Sequence, residues 1–494
     1  MSLTSRLERW RNTVVLVYLI YMRNPFSFLI RGFQRESVEA LDHGSLIIHK
    51  IDDELTDNMR ALRLVATLCD QLLSRGMPAS DVVYLGLEVT SAYCSRKVHI
   101  DISHTILTIS QDRGIDREPL TLVRTVTSRG SDYHTLQLLE DLARSAGKEE
   151  ISLDDAERQL DDIISRKRIY PPIVIHLAGG GISAGVVMLY SHNPFMWLIA
   201  LLMGTMISLV IGRMTKMGLP SFYVQSLSGL IIILIAAATS LLAMTTIPVL
   251  AEVNPTLVII SGIVMLVAGM MIASAFQDAL DEYYVTAMAR LLKVIMMTGG
   301  IVIGTTVGLY IATRLGVHLA ATPNHLSLAD INYQYAGAAV LAASFALGNY
   351  ARPIAIISAG LVGFLSLYVT LVLMSFDLGQ IAASGVAAMV VGIAASLLSR
   401  LLKIPTIAIM SAGIIPLVPG LTLYSALHYI SQSAPNTSDF DTGVAFLMRA
   451  LLIAVVVAAG VTFGALMGRP ARKRHAHLAN RLPHRHLGRR RTAR

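Results

Sequence analysis

The chain has 494 residues, of which 54% are hydrophobic and 15% charged, and its formal net charge is +8. Soluble proteins average about 25% charged residues, so this composition excludes an ordinary soluble enzyme. Charged side chains make up 47 of the first 170 residues but only 17 of the next 298, and the last 26 residues hold ten basic and no acidic ones. The sequence therefore predicts an N-terminal segment (1–50), a soluble part (51–170), a membrane part (171–468) and a basic tail (469–494).

Residue types that mark cofactor sites are sparse. The two cysteines, Cys69 and Cys94, exclude a disulfide scaffold, lack zinc-site spacing and suit a reducing compartment. There is no G-x-S-x-G, Walker A, H-E-x-x-H or C-x-x-C motif, which disfavours an ATP-driven pump and gives no reason to expect a metal or another cofactor. The basic tail follows a membrane segment, so we expect it to contact membrane lipids and not nucleic acid.

The N-terminal segment contains an apolar run from Val14 to Met22, preceded by Arg6, Arg9 and Arg11. The run has about half the length that a membrane span needs. No small-residue cleavage site follows it, which argues against a signal peptide. We expect residues 1–50 to form an interfacial or packing helix or to be poorly ordered.

The soluble part alternates between helical and strand patterns. Apolar residues at helical spacing predict a helix over 52–76, and Pro78 to Asp81 is expected to cap a second helix that continues to about Cys94. Alternating apolar residues predict a hairpin, 98–102 and 106–109, and a further strand over 120–127. Two more helices are expected, over 134–146 and 152–167. This part is therefore predicted to be a cytoplasmic α+β domain.

His99 and Asp101 are separated by one residue and so share one face of the first predicted strand. Metal binding or acid/base chemistry is conceivable for such a pair, but a third ligand or a nucleophile is missing. A structural hydrogen bond between them is the preferred interpretation, and an enzymatic site the alternative.

From residue 171 onward, apolar stretches long enough to cross a membrane recur ten times. The predicted spans are 173–190, 195–211, 222–245, 257–276, 294–313, 333–350, 354–374, 381–398, 406–430 and 444–467.

The loops between these spans indicate their orientation, because short cytoplasmic loops collect Lys and Arg. With the soluble part inside, the inner loops carry seven basic residues: Arg213, Lys216, Arg290, Lys293, Arg352, Arg400 and Lys403. The outer loops carry Arg314, with Arg449 at the outer edge of the last span. We therefore predict a multi-pass protein of the cytoplasmic membrane with both termini in the cytoplasm.

Two loops resemble each other. Lys216 to Pro220 leads into span three with Gly229 nine residues after the proline, and Lys403 to Pro405 leads into span nine with Gly413 eight residues after it. A strict five-plus-five duplication would pair span three with span eight, so the resemblance leaves open whether the halves form an inverted repeat.

Span nine contains Pro416, Pro419 and Gly420, with Tyr424 one turn later. Two prolines and a glycine within five residues predict a break in this helix. A broken helix exposes carbonyls and a positive N-terminal end at membrane depth, which could hold a carboxylate. A packing kink is the alternative.

A second polar cluster joins spans four and five. The cluster includes Gln277, Asp278, Thr286 and Arg290. Asp278, Asp281, Glu282 and Thr286 recur at helical three- and four-residue spacings, so we expect one helix with a polar face. Asp278 could accept a proton or hold Arg290 through a charge-assisted bond. Asp281 and Glu282 are expected to be solvated.

Four segments together resemble the threonine/serine exporter family of actinobacteria: VHIDISHTILTIS, AFQDALDEYYVTAMARLL, MMTGGIVIG and GIIPLVPGLTLY. The resemblance runs from about residue 55 to 468. Its most specific pieces are Gln277-Asp278 with Val285 to Arg290, and Pro416-x-x-Pro419-Gly420. What the family implies is export of threonine and serine across the cytoplasmic membrane, driven by the proton motive force, with no enzymatic activity required.

Two alternatives stay open. Wider relatives that are split into two chains are thought to export dicarboxylates, so another small metabolite could be the cargo. The second alternative is a membrane-anchored hydrolase that uses His99 and Asp101, although ten spans are far more than an anchor needs. A homo-oligomer is compatible with either interpretation.

Overall fold

A computed structural model describes residues 57–94, 96–113, 117–127, 130–243, 253–266, 269–317, 319, 328–432 and 437–468. The predicted interfacial segment 1–50 and the basic tail 469–494 lie outside the described residues.

Residues 57–165 form an α+β unit. Helices α1 (Asp57–Ser74) and α2 (Ala79–Tyr93) precede strands β1 (Val98–Ser103), β2 (Ile106–Gln111) and β3 (Leu120–Thr125). Helices α3 (Tyr133–Gly147) and α4 (Leu153–Ser165) follow, so the predicted helices and the hairpin are confirmed.

The sheet has the order β1-β2-β3 and is antiparallel, with Ile100 opposite Ile109. Burial alternates along β1, because one face packs against α1 and α2 while the other is exposed. The two-residue turn between β1 and β2 is possible because His104 adopts a left-handed conformation, with φ 55°.

The rest of the described chain is helical. Its first half contains α5 (Pro172–Met188), α6 (Pro194–Lys216), α7 (Ser221–Ala243), α8 (Pro255–Leu266), α9 (Gly269–Leu280) and α10 (Tyr284–Arg314). Its second half contains α11 (Ile331–Gly348), α12 (Pro353–Ser375), α13 (Gln380–Leu402), α14 (Thr406–Ile414), a 3-10 turn (Ile415–Leu417), α15 (Gly420–Gln432) and α16 (Ser438–Gly468).

These helices make the chain a polytopic helical membrane protein. Six described helices are long and apolar enough to cross a membrane, and α14 with α15 adds a seventh if that pair, bent by 53°, is one span. Large apolar side chains face outward, as Leu202 and Leu361 do at 59% and 64% exposure, which suits lipid and not water. Each of the ten predicted spans coincides with a helix or an interrupted pair of helices, while the number of crossings stays a prediction.

The two halves repeat one helical plan. Uninterrupted helices have 17, 23, 23 and 31 residues in the first half and 18, 23, 23 and 31 in the second. In each half, an interrupted helix stands in fourth place: α8 with α9, and α14 with α15.

Glycine packing fixes the register between the halves. The last helix of each half approaches the third closely through glycines spaced four apart: Gly300, Gly304 and Gly308 on α10, and Gly460, Gly464 and Gly468 on α16. A side chain at Gly229 of α7 would press on the carbonyl of Ile301, and one at Gly392 of α13 would press on that of Val461. Span three therefore corresponds to span eight, as a five-plus-five duplication requires, and the resemblance between the loops before spans three and nine does not follow the repeat.

The halves also have opposite orientations. Contacts between α5 and α11 join Gly185 to Gly337 and Ala178 to Gly348, so residue numbers rise on one helix as they fall on the other. Equivalent helices that run antiparallel are the mark of an inverted repeat. The α+β unit packs against one end of this inverted pair.

Candidate functional site

The polar cluster between spans four and five lies where the membrane part meets the α+β unit. Gln277 and Asp278 are in the last turn of α9, and Thr286 and Arg290 in the first two turns of α10. Asp278 and Thr286 are essentially inaccessible, at 0% and 1% exposure. We call Gln277, Asp278, Thr286 and Arg290 the docking joint, because their partners lie in the α+β unit.

Asp278 caps helix α2 from outside the α+β unit. Pro78 precedes α2 and supplies no side-chain cap. Instead the backbone N–H of Ala79 donates to Oδ1 of Asp278 at 2.9 Å. A carboxylate at this end also interacts favourably with the helix dipole. The cap that the sequence analysis expected from Pro78 to Asp81 therefore comes from a residue 199 positions away.

Arg290 completes the same contact. Its Nη1 lies 2.9 Å from Oδ2 of Asp278, and its Nη2 donates to the carbonyl of Met77 at 3.2 Å. The sequence allowed Asp278 to accept a proton or to pair with Arg290. The structure shows the ion pair with Arg290. Removing one member of a buried pair leaves an uncompensated charge, so the two residues stabilise the joint together.

Further hydrogen bonds extend the joint to the β1–β2 turn. Gln277 donates to Oδ2 of Asp81 at 3.2 Å. The hydroxyl of Thr286 accepts from the N–H of His104 at 3.0 Å and lies 3.4 Å from the carbonyl of Ile102, to which it donates. All four residues of the joint are thus brought together where the membrane helices contact the α+β unit.

The neighbouring carboxylates differ from each other. Asp281, expected to be solvated, is half-buried and accepts from the hydroxyl of Ser80. Glu282 is exposed, as expected, and forms the turn between α9 and α10 with φ 70°.

Asp278 follows the predicted span 257–276, and the pKa of its carboxyl group differs from that of a solvated aspartate. Burial raises the pKa of Asp278 to about 6, although Arg290 and the N–H of Ala79 both favour the charged form. A carboxyl with this pKa changes its protonation near neutral pH, which a solvated aspartate does not.

The predicted break in span nine is present. Helix α14 ends at Ile414, Pro416 lies in the 3-10 turn, and α15 begins at Gly420 directly after Pro419. Tyr424 lies in the second turn of α15 and is buried. A cavity of about 120 Å³ adjoins the break; Leu417, Val418 and Pro419 line it together with residues of α9, α10 and α16.

The fourth helix of the first half carries the same motif, which the sequence analysis missed. Pro255-Thr to Ser261, Leu266-Val-Ala-Gly269 and Ser274-Ala correspond to Pro405-Thr to Ser411, Leu417-Val-Pro-Gly420 and Ser425-Ala. Both helices are interrupted at this Leu-Val-x-Gly sequence. A side chain at Gly420 would overlap Val264 in the last turn of α8, so the two breaks are neighbours.

Helix α9 links the break to the docking joint. It begins at Gly269, directly after the first break, and Asp278 lies nine residues further on. At 1.5 Å per residue the two positions are about 14 Å apart along one helix. The first break and Asp278 therefore lie on one uninterrupted helix.

A second contact ties the α+β unit to the broken span nine. The hydroxyls of Tyr133 in α3 and Ser411 in α14 are 2.6 Å apart, and Gln137 donates to the carbonyl of Lys403 at 2.6 Å. No sequence pattern indicated these pairs, because the partners are far apart in the chain. Tyr133 and Ser411 are separated by 278 positions, and Gln137 and Lys403 by 266.

His99 and Asp101 lie on the exposed face of the sheet, and Asp101 directly precedes Ile102, whose carbonyl accepts from Thr286 of the docking joint. The hydroxyl of Ser103, at 3.5 Å, donates to Asp101. Across the described ranges, no group of three His, Cys, Asp or Glu residues could hold a metal ion.

Comparisons with known proteins agree with this architecture. A family model described as "Putative threonine/serine exporter" matches residues 63–312, which is half of the chain. The chain belongs to the threonine/serine exporter family. A second model, "Threonine/Serine exporter, ThrE", matches residues 334–467, so the boundary between the models falls between the two halves of the repeat. This family consists of transporters, and the protein is accordingly a transporter and not an enzyme.

Two curated relatives cover most of the chain. The "Threonine/serine exporter" of Corynebacterium glutamicum is 31% identical over 429 residues, which cover 85% of each chain. The "Probable threonine/serine exporter" of Mycobacterium tuberculosis is 28% identical over 461 residues, which cover 91% of this chain and 84% of the relative. No solved structure matches the chain.

Proposed function

We propose that this protein exports threonine and serine from the cytoplasm across the cytoplasmic membrane, with both termini inside, and that the proton motive force drives it. The observation that carries the proposal is the pair of neighbouring helix breaks between two inverted halves. Such pairs form the central substrate site in many secondary transporters. The names of both curated relatives support the choice of substrate.

The break in span nine suits the carboxylate of an amino acid. The N–H groups of Leu421 and Thr422, in the first turn of α15, donate no hydrogen bond within the described part of the chain. Free amides and the positive end of a helix attract an anion at this point. The apolar cavity beside the break accommodates the methyl group of threonine, and Thr298 contributes a hydroxyl to its lining.

Asp278 is proposed as the proton-responsive group. Its raised pKa lets it gain and lose a proton near neutral pH. Protonation weakens its pairing with Arg290 and its cap on α2, so the docking joint loosens. Because α9 runs from this joint to the first break, the loosening alters the helix that borders the substrate.

Purified protein in proteoliposomes tests both parts of the proposal. Vesicles loaded with labelled threonine are expected to lose it faster when a proton gradient is imposed, and an ionophore should abolish the difference. Excess serine should compete, whereas a dicarboxylate such as succinate should not. Competition by succinate alone would assign the protein to the dicarboxylate alternative, and efflux unaffected by the gradient would remove proton coupling.

A further inference from the structure

A buried glutamine in α7 faces the break in the first half. Gln225 is 8% exposed, and its Nε2 donates to the carbonyl of Leu266 at 3.4 Å. Its Oε1 is buried and has no hydrogen-bond partner among the described residues. A buried amide oxygen left without a donor costs free energy, so this one requires an explanation.

The carbonyl that Gln225 contacts is itself exposed by the break. Leu266 is the last residue of α8, and the next helix begins at Gly269. Carbonyls at a helix C-terminus lack partners within the helix and carry partial negative charge. The Leu266 carbonyl thus accepts a hydrogen bond from Nε2 of Gln225, while Oε1 of the same amide accepts none among the described residues.

The inverted repeat provides an internal comparison. The register that pairs Gly229 with Gly392 places Ala388 at the position equivalent to Gln225. Ala388 is completely buried, so the same packing between third and fifth helices forms without a polar side chain. The fold does not need a glutamine at this position, which points to a ligand in the first half.

We infer that Gln225 and the Leu266 carbonyl bind the ammonium group of the transported amino acid. The inference rests on the proposed function, which assigned a site for the carboxylate of the substrate, and it adds a site for the ammonium group. Val264, in the last turn of α8, packs against Gly420, so this acceptor pair adjoins the break where α15 presents its N–H groups. A zwitterion thus meets a negative helix end and a positive helix end at neighbouring breaks.

The test compares two buried glutamines in proteoliposomes. Gln225→Leu keeps the volume and removes the acceptor. Gln334→Leu alters a glutamine of α11 that has the same 8% exposure and donates to the carbonyl of Ala329, which precedes that helix. Loss of one hydrogen bond to a charged group is expected to raise the half-saturation concentration for threonine roughly tenfold to a hundredfold in Gln225→Leu. Gln334→Leu should stay within about threefold of the unmodified protein.

A substrate analogue separates this inference from the proposed function. The analogue 2,3-dihydroxybutanoate has a hydroxyl in place of the ammonium group, and it should inhibit the unmodified protein weakly and Gln225→Leu equally weakly. If threonine transport has the same half-saturation concentration in both glutamine variants, the inference is overturned while the proposed export function is unaffected. Absence of threonine transport by the unmodified protein would instead refute the proposed function. If Gln225→Leu does not fold, Gln225→Ala, which reproduces the residue of the second half, is measured in its place.

Discussion

The contact between α7 and α10 predicts opposite effects for two alanine substitutions in one helix. A Cβ added at Gly304 would overlap the carbonyl oxygen of Ser226 and lie 2.7 Å and 2.9 Å from its carbonyl carbon and Cα. These are backbone atoms, so relief requires the helices to separate. A Cβ added at Gly299, five residues earlier, meets no atom within 4 Å.

The magnitude follows from these distances. Carbon atoms pack best at about 3.5–4.0 Å, so Gly304→Ala must move the helices apart by roughly 1 Å, which forfeits a quarter to a half of the dispersion energy across the interface. Overpacking of this kind costs about 1–3 kcal/mol. Alanine is a better helix former than glycine by about 1 kcal/mol, and only Gly299→Ala obtains this gain without strain.

The assay is the melting temperature of each purified variant in detergent, with threonine efflux measured in parallel. Gly304→Ala is expected to melt below the unmodified protein and Gly299→Ala at or above it. The inverted repeat makes Gly464→Ala a second test, because a Cβ there would lie 2.8 Å from the carbonyl carbon of Met389. Equal melting temperatures for Gly304→Ala and Gly299→Ala would refute the close approach of α7 and α10.

Three further predictions concern the contacts between the α+β unit and the membrane helices. Asp278→Ala leaves Arg290 buried without its partner and should destabilise the joint by about 3–5 kcal/mol. Hydrogen exchange of the backbone amides in α2 should then be faster. Asp281→Ala serves as the control and should have a smaller effect. Because burial raises the pKa of Asp278 from 3.8 to about 6, the folded state is destabilised by the ionised form above pH 6 and not below pH 4. The infrared band of a protonated carboxyl should therefore appear as the pH falls through about 6 and be missing in Asp278→Asn. Tyr133→Phe should cost about 1 kcal/mol, and in a Ser411→Ala background it should cost little, because its hydrogen bond to Ser411 is then already absent.

The sequence predicted the positions of the helices well, because their determinants are local. A run of apolar residues must satisfy its own backbone in lipid, and only a helix does so within one segment. The break at Pro416, Pro419 and Gly420 was predicted for the same reason, since the loss of two amide donors is a property of those residues alone.

The contacts of the docking joint could not be predicted from local sequence patterns. Helical spacing predicted one helix through Asp278 and Thr286, whereas a turn over residues 281–283 separates α9 from α10. Their partners, Ala79 and His104, lie 199 and 182 positions away and belong to a different unit. Helical periodicity describes the face of one helix and carries no information about what covers that face.

The inverted repeat was present in the sequence, but its most visible similarity pointed to the wrong pair of spans. Lys and Arg recur in short cytoplasmic loops of membrane proteins in general, so the resemblance of the loops at Lys216 and Lys403 is a weak guide to register. The Leu-Val-x-Gly motif and the glycines spaced four apart are stronger guides, because each marks a close backbone approach that both halves must reproduce.

By itself the sequence determined that this chain is a membrane protein with many helices, a preceding α+β unit and a broken ninth span. It also showed that the positive excess lies entirely in the tail, so the net charge reveals nothing about the cargo. Only the tertiary structure decided that Asp278 caps a helix of the α+β unit, that two breaks are neighbours, and that Gln225 faces one of them. The division has a physical cause: hydrophobicity and backbone chemistry act within a segment, whereas hydrogen-bond partners and close packing depend on which segments meet.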